Sequence, residues 1–307
     1  MRHSAVLGSL LLIAVTCAIG PTPNRATAQP RIEDQFFASD GIRIRYVDSG
    51  GGEPVVLIHS VSESVEMWRD LGYLDVFGTG FRVIAIDLRG HGRSDKPHDP
   101  ARYGMELVND IVRLLDHLAI RRAHLLGYSL GGYVAGRVAA SFPDRVLSVT
   151  FGGSSVMSPA IWATRFEGRV ADIADALTGG DPRPLIARFT EASELERRAA
   201  DLAARNDLSA LAAAVRTFGA MTLTPAEIAA LRMPILVITG SEDLPESRMS
   251  AFEGLKPRPE SVVIDGATHG GAQGALRRPD FVSAVREFLL AHRSAQRPRA
   301  LSVNCGQ

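Results

Sequence analysis

Six apolar runs separated by helical periodicity constrain this chain more than any other feature. They are Val55 to Ile58, Val83 to Ile86, Leu125 to Leu126, Val146 to Phe151, Ile235 to Ile238 and Val262 to Ile264. A strand with one face in water alternates apolar and polar residues. A strand covered on both faces has no position left for polar ones, so its sequence runs apolar throughout. Between the runs, Leu107, Ile111, Leu114, Leu115 and Leu118 recur at helical spacing, as do Phe281, Val285, Phe288 and Leu289. Strand and helix alternating over this length predict a mostly parallel sheet with helices on both faces, an α/β architecture. Ile42 to Val47 alternates instead, which predicts a half-exposed antiparallel strand near one sheet edge.

The alternation stops between Phe151 and Met233. About eighty residues are too many for an ordinary connection. Ala199 to Val215, rich in Ala, Leu and Arg, reads as helix. Residues 155–231 are therefore expected to form a helical cap inserted after the sixth strand, with 29–154 and 232–307 forming the core. Apolar cap residues, including Ile161, Trp162, Phe166, Phe189, Phe218 and Met221, either line a pocket or pack the cap helices together.

One serine stands where chemistry is expected. Gly127-Tyr128-Ser129-Leu130-Gly131 follows the run ending at Leu126 and opens the helical segment Gly132-Tyr133-Val134-Ala135. A serine between flanking glycines at a sharp strand-to-helix turn is presented at the carboxyl edge of the sheet. Its hydroxyl needs a base, and the base needs an acid to orient it. Asp243 follows the strand ending at Gly240, and His269 follows the strand ending near Asp265. Loops after parallel strands converge on one edge of a sheet, so Ser129, Asp243 and His269 are placed to meet. Glu242 is the neighbouring alternative for the acid.

These stretches resemble the α/β-hydrolase superfamily, in its small serine esterase and haloperoxidase-like branch. The likeness runs from about Phe36 to His292. It rests on Val55-Val56-Leu57-Ile58-His59, on the turn Asp87-Leu88-Arg89-Gly90-His91-Gly92-Arg93-Ser94, and on Gly127 to Gly132. The order serine, acid, histidine is the one such proteins use. The resemblance implies the α/β-hydrolase fold and a catalytic triad of Ser129, His269 and Asp243, since the family's spacing from Gly240 lands on Asp243. It also implies an oxyanion hole made by the backbone N–H groups of Leu130 and Val61. Ser60 departs from the glycine that relatives carry after His59, and either tolerates the turn or brings its hydroxyl near the site. Tyr128, Trp162, Phe166 and Phe218 are candidate substrate contacts. His59, His91, Asp87, Arg89 and Ser94 are expected to stabilise turns.

The implied activity is hydrolysis of a carboxylic ester or related acyl compound through an acyl-enzyme. Lactonase, thioesterase, amidase, carbon–carbon bond hydrolase and perhydrolase chemistry can share the triad, and a binding or receptor protein on the same scaffold is a further reading. A serine at the elbow argues against dehalogenase and epoxide hydrolase chemistry, which in this superfamily use a carboxylate there. A small-molecule substrate is the expected partner, with no cofactor and no metal.

The first residues read as an export signal. Arg2 precedes an apolar stretch from Ala5 to Ile19, and Ala26-Thr27-Ala28 offers a cleavage site before Gln29. Residues 1–28 are accordingly expected to be a signal peptide cleaved after Ala28, which implies a secreted or periplasmic protein without a stable membrane anchor. The mature chain would keep 32 basic and 34 acidic side chains, a formal charge of −2. Near-neutrality gives no support for nucleic-acid binding. Cys305 would be its single cysteine, which excludes an intramolecular disulfide.

Overall fold

A computed structural model of the chain describes residues 32–243, 249–252 and 254–294, without the side chains of Arg165 and Ser250. The expected signal peptide and Cys305 lie outside the described residues. In chain order the strands are β1 (Gln35–Ser39), β2 (Ile42–Gly50), β3 (Glu53–Ile58), β4 (Phe81–Ile86), β5 (Ala123–Tyr128), β6 (Val146–Gly152), β7 (Ile235–Gly240) and β8 (Glu260–Ile264). They form one eight-stranded sheet in the order β1-β2-β4-β3-β5-β6-β7-β8. The pairs β1–β2 and β2–β4 are antiparallel, and every pair from β4–β3 to β7–β8 is parallel.

Continuous apolar runs have a direct explanation in this sheet. Val56, Ile58, Ile84, Ile86, Leu125, Ile235 and Val237 face one core, with helices α3 (Met105–His117) and α4 (Leu130–Ser141). The residues between them, Val55, Leu57, Val83, Ala85, Leu126, Leu236 and Ile238, face a second core. Helices α1 (Val65–Asp70), α2 (Tyr73–Gly78) and α11 (Pro279–Ala291) close that second side. The five strands from β3 to β7 thus bury both of their side-chain rows, which is why their sequences show no period of two.

Two expectations fail at the flanks. The strand expected to be half-exposed, Ile42 to Val47, is β2, and its alternation is misleading: Arg43 is exposed but Arg45 is fully buried. The Arg45 guanidinium pairs with Asp34, Glu66 and Asp87, at 2.5, 2.8 and 3.1 Å. Three carboxylates offset its desolvation, and removing one partner of such a buried pair typically costs about 3–5 kcal/mol. At the opposite flank, the expectation that Val262 to Ile264 is buried on both faces fails because β8 ends the sheet. Val263 is 60% exposed there.

The segment between β6 and β7 is helical. It holds α5 (Pro159–Arg165), α6 (Val170–Thr178), α7 (Arg183–Ile186), α8 (Leu195–Arg205), α9 (Leu208–Val215) and α10 (Pro225–Ala229). Ser158, Asp207 and Thr224 each accept a backbone N–H at the start of a helix, satisfying donors that have no intrahelical partner. Among the described residues, no helix is long and apolar enough to cross a membrane.

Candidate active site

Ser129 joins β5 to α4 in a backbone conformation that residues with a side chain rarely adopt, φ 52° and ψ −114°. Such strain persists only where the surroundings over-determine it. Here they do, because the Ser129 N–H donates to the Gly152 carbonyl at 2.8 Å and its carbonyl accepts from Gly132 at 2.9 Å. The flanking glycines are required by close approach rather than by turn geometry alone. A Cβ on Gly127 would collide with the Gly131 carbonyl, and one on Gly131 with the Ile58 carbonyl of the neighbouring strand. The elbow therefore packs backbone on backbone, and the serine side chain is left to project from the sheet edge.

His269 and Asp243 meet it there. Ser129 Oγ lies 3.0 Å from His269 Nε2, and His269 Nδ1 lies 2.8 Å from Asp243 Oδ1. The Asp243 side chain is fully buried, and Thr239 Oγ1 donates to its second oxygen at 3.2 Å. Glu242 turns outward to solvent, where Ser241 Oγ donates to it at 3.3 Å. A buried carboxylate one hydrogen bond from the imidazole is the group that can hold its tautomer. Glu242 has no such geometry.

The imidazole is clamped on both faces. The Phe189 ring, from the inserted segment, stacks on it with centroids 4.8 Å apart and planes 29° apart. Tyr128 lies behind it, its hydroxyl donating to the His269 carbonyl at 2.5 Å. Tyr128 is 3% exposed, so the expectation that it contacts substrate is replaced by a packing position beneath the histidine.

Beside Ser129 is a narrow cavity of about 70 Å³. Val61, Leu130 and Tyr133 line it from the core, and Phe166, Ile173, Leu185, Phe189 and Phe218 from the inserted segment. Leu130 is the first residue of α4, so its N–H lacks an intrahelical partner and is available beside the Ser129 hydroxyl. Val61 reaches the cavity from the loop after β3, whereas Ser60 does not line it. Trp162 is also absent from the lining. It stacks behind Phe166 at 6.0 Å and packs against Gly219, because the helix turn aims it into the inserted segment. Two arginines that no sequence pattern singled out, Arg169 and Arg188, line the same cavity.

The remaining motif residues hold loops. Asp87 accepts the N–H groups of Val65 and Arg93 at 2.6 and 2.7 Å, and Ser94 Oγ donates to its carbonyl at 2.7 Å. Arg89 makes a bidentate pair with buried Asp110, both contacts at 2.7 Å. His59 Nε2 accepts the Leu88 N–H at 3.0 Å, and its Nδ1 faces the Ser60 carbonyl at 2.7 Å. Burial holds His59 down to about 4 and His91 to about 3, the latter helped by the neighbouring His59. Both are neutral rings. Among the described residues no group of His, Cys, Asp and Glu is arranged to hold a metal ion.

With this geometry in place, the family match decides the kinship: the model of the alpha/beta hydrolase fold matches residues 53–271, most of the chain. The chain belongs to the α/β-hydrolase family. Over 116 residues, 38% of its length, this α/β hydrolase is 40% identical to the dihydrolipoyllysine-residue acetyltransferase component of the acetoin cleaving system of Cupriavidus necator. It is 35% identical over 120 residues, 39% of its length, to bifunctional epoxide hydrolase 2 of Mus musculus. Those matches span only 30% and 22% of the two relatives' own length. Among solved structures, a carboxylesterase of the ammonia-oxidizing thaumarchaeon Nitrososphaera gargenis superposes with a TM-score of 0.66 at 23% identity, covering 84% of this chain and 98% of the other. That likeness is one of fold.

Proposed function

We propose that this α/β hydrolase is a serine hydrolase that cleaves a carboxylic ester or related acyl compound. The observation that carries the reading is the unbroken line from Asp243 through His269 to Ser129, with contacts of 2.8 and 3.0 Å. Asp243 keeps the proton on Nδ1, so Nε2 is free to accept the Ser129 proton as Oγ attacks the acyl carbon. The tetrahedral oxyanion is held by the N–H groups of Leu130 and Val61, each worth about 3 kcal/mol in such sites. His269 then returns the proton to the leaving oxygen, and the acyl-enzyme is hydrolysed by water activated in the same way. Because the elbow supplies a hydroxyl and not a carboxylate, the alkyl-enzyme route of epoxide opening does not apply.

In this reading residues 155–231 form the cap, whose apolar side chains set the acyl group that fits. The apolar side chains of Phe166, Ile173, Leu185 and Phe218 on the cavity wall favour an apolar stretch in the acyl group. The test is a panel of p-nitrophenyl esters of graded chain length together with labelling by a fluorophosphonate. Turnover and covalent labelling of Ser129, both lost in Ser129→Ala, are expected. A folded wild-type protein that neither turns over any ester nor takes the label would overturn the reading. We also propose export, with cleavage after Ala28, on the strength of the basic, apolar and Ala-Thr-Ala sequence that precedes Gln29. The mass and N-terminal sequence of the protein recovered from its native host test this directly.

A further inference from the structure

The cavity beside Ser129 is lined mainly by apolar side chains, with Ser129, Tyr133, His269 and two arginines among them. Among the described residues, the charged side chains that line it are Arg169 and Arg188, with no Asp, Glu or Lys. Both arginines come from the inserted segment, far in sequence from the triad. Arg169 occupies the N-terminal cap position of α6, nine residues long, where the helix dipole opposes a cation and where Ser, Thr, Asp or Asn is the ordinary choice. Its side chain accordingly makes no capping hydrogen bond. Among the described residues no carboxylate lies within 4.0 Å of its guanidinium, although Glu167 and Asp172 are close in sequence. A cation at a helix N-terminus adds to the dipole's positive end and concentrates positive potential at the mouth of an apolar cleft.

We propose that the substrates of this site are esters carrying a free carboxylate, which Arg169, aided by Arg188, holds at the cavity mouth while the scissile carbonyl lies against Ser129. The proposal rests on the serine-hydrolase reading above and names its substrate class. The chemistry is that of a guanidinium presenting paired N–H donors to a carboxylate. The apolar lining between the arginines and Ser129 suits the intervening methylene groups. Anion binding then orients the ester for attack, so the charge is felt in kcat/KM rather than in folding.

The experiment compares monomethyl succinate, glutarate and adipate with methyl butanoate, pentanoate and hexanoate, following acid release by wild type, Arg169→Met, Arg169→Lys and Arg188→Met. Wild type is expected to prefer at least one monoanionic ester over its uncharged counterpart. Arg169→Met should lower that preference about tenfold or more, the scale of one charge-assisted hydrogen bond. Arg169→Lys should retain part of it, Arg188→Met should lower it less, and added salt should erode it in wild type. A wild-type preference for the uncharged esters, or an equal fall on both series in Arg169→Met, would overturn the assignment. Calorimetric binding of monomethyl adipate to Ser129→Ala gives a readout without turnover. If no ester is cleaved by wild type yet this binding is lost in the Arg169→Met double variant, the hydrolase reading fails and the anion site stands. If the esters are cleaved but binding is indifferent to Arg169, the anion site fails alone.

Discussion

Asp243→Asn is the substitution that tests the site most sharply, because the two oxygens of this carboxylate have different partners. Oδ2 accepts from the Thr239 hydroxyl at 3.2 Å, and Oδ1 faces His269 Nδ1 at 2.8 Å. An asparagine of the same shape keeps its oxygen toward Thr239, which can donate, and so turns its NH₂ group toward the imidazole. Nδ1 must then accept, and the ring proton moves to Nε2, the atom 3.0 Å from Ser129 Oγ. A protonated Nε2 cannot take the serine proton. Tautomer inversion of this kind lowers kcat about ten-thousandfold, or about 5.4 kcal/mol at 1.36 kcal/mol per decade. Glu242→Gln, at an exposed side chain one residue away, should change kcat by less than about twofold, the scale of a surface substitution. The assay is initial-rate hydrolysis of a short p-nitrophenyl ester, with thermal melts to show that both variants fold. The reasoning fails if Asp243→Asn keeps more than a tenth of wild-type kcat, or if Glu242→Gln is the more damaging change.

Acid should unfold the protein through His59 and His91. Their folded values, about 4 and about 3, lie below the ordinary 6.5, so the unfolded chain takes up protons first. Stability is therefore complete above pH 6.5 and declines as pH falls toward those values. Each ring costs roughly 1.4 kcal/mol per pH unit within the window, or about 3 kcal/mol for the pair between pH 7.5 and 5.5. Urea titrations that show equal stability at the two pH values would contradict this. Phe166→Ala and Phe218→Ala should widen the accepted acyl chain, because both rings line the cavity; Trp162→Ala should instead lower the melting temperature with little change in chain-length preference. Kinetics over a graded ester series distinguish the two patterns. Ser60→Gly should leave turnover within about threefold, since Ser60 does not line the cavity and a hole donor would cost about a hundredfold or more. A selective fall in kcat beyond tenfold would make its hydroxyl part of the site.

The sequence alone was enough for the α/β architecture and for the family, because both are written in local pattern. A strand buried on two faces must be apolar throughout, and an elbow whose backbones touch must have glycine at Gly127 and Gly131. The candidate triad was legible for the same reason: each member directly follows a strand, and parallel strands deliver their ends to one edge. Everything that depended on which distant side chains meet was decided by the tertiary structure. Arg45 reads as an outward position of an alternating strand, yet three carboxylates brought from residues 34, 66 and 87 allow it to be buried. Val263 reads as core, yet on β8, the last strand of the sheet, it is 60% exposed. Tyr128 and Trp162 read as pocket aromatics, yet one lies under His269 and the other behind Phe166. Arg169 and Arg188 look like ordinary surface cations in a helical segment, and only the packing of that segment over Ser129 turns them toward a cavity. Periodicity reports which face of an element is covered, whereas long-range contact selects what covers it, and the substrate pocket is made of those contacts.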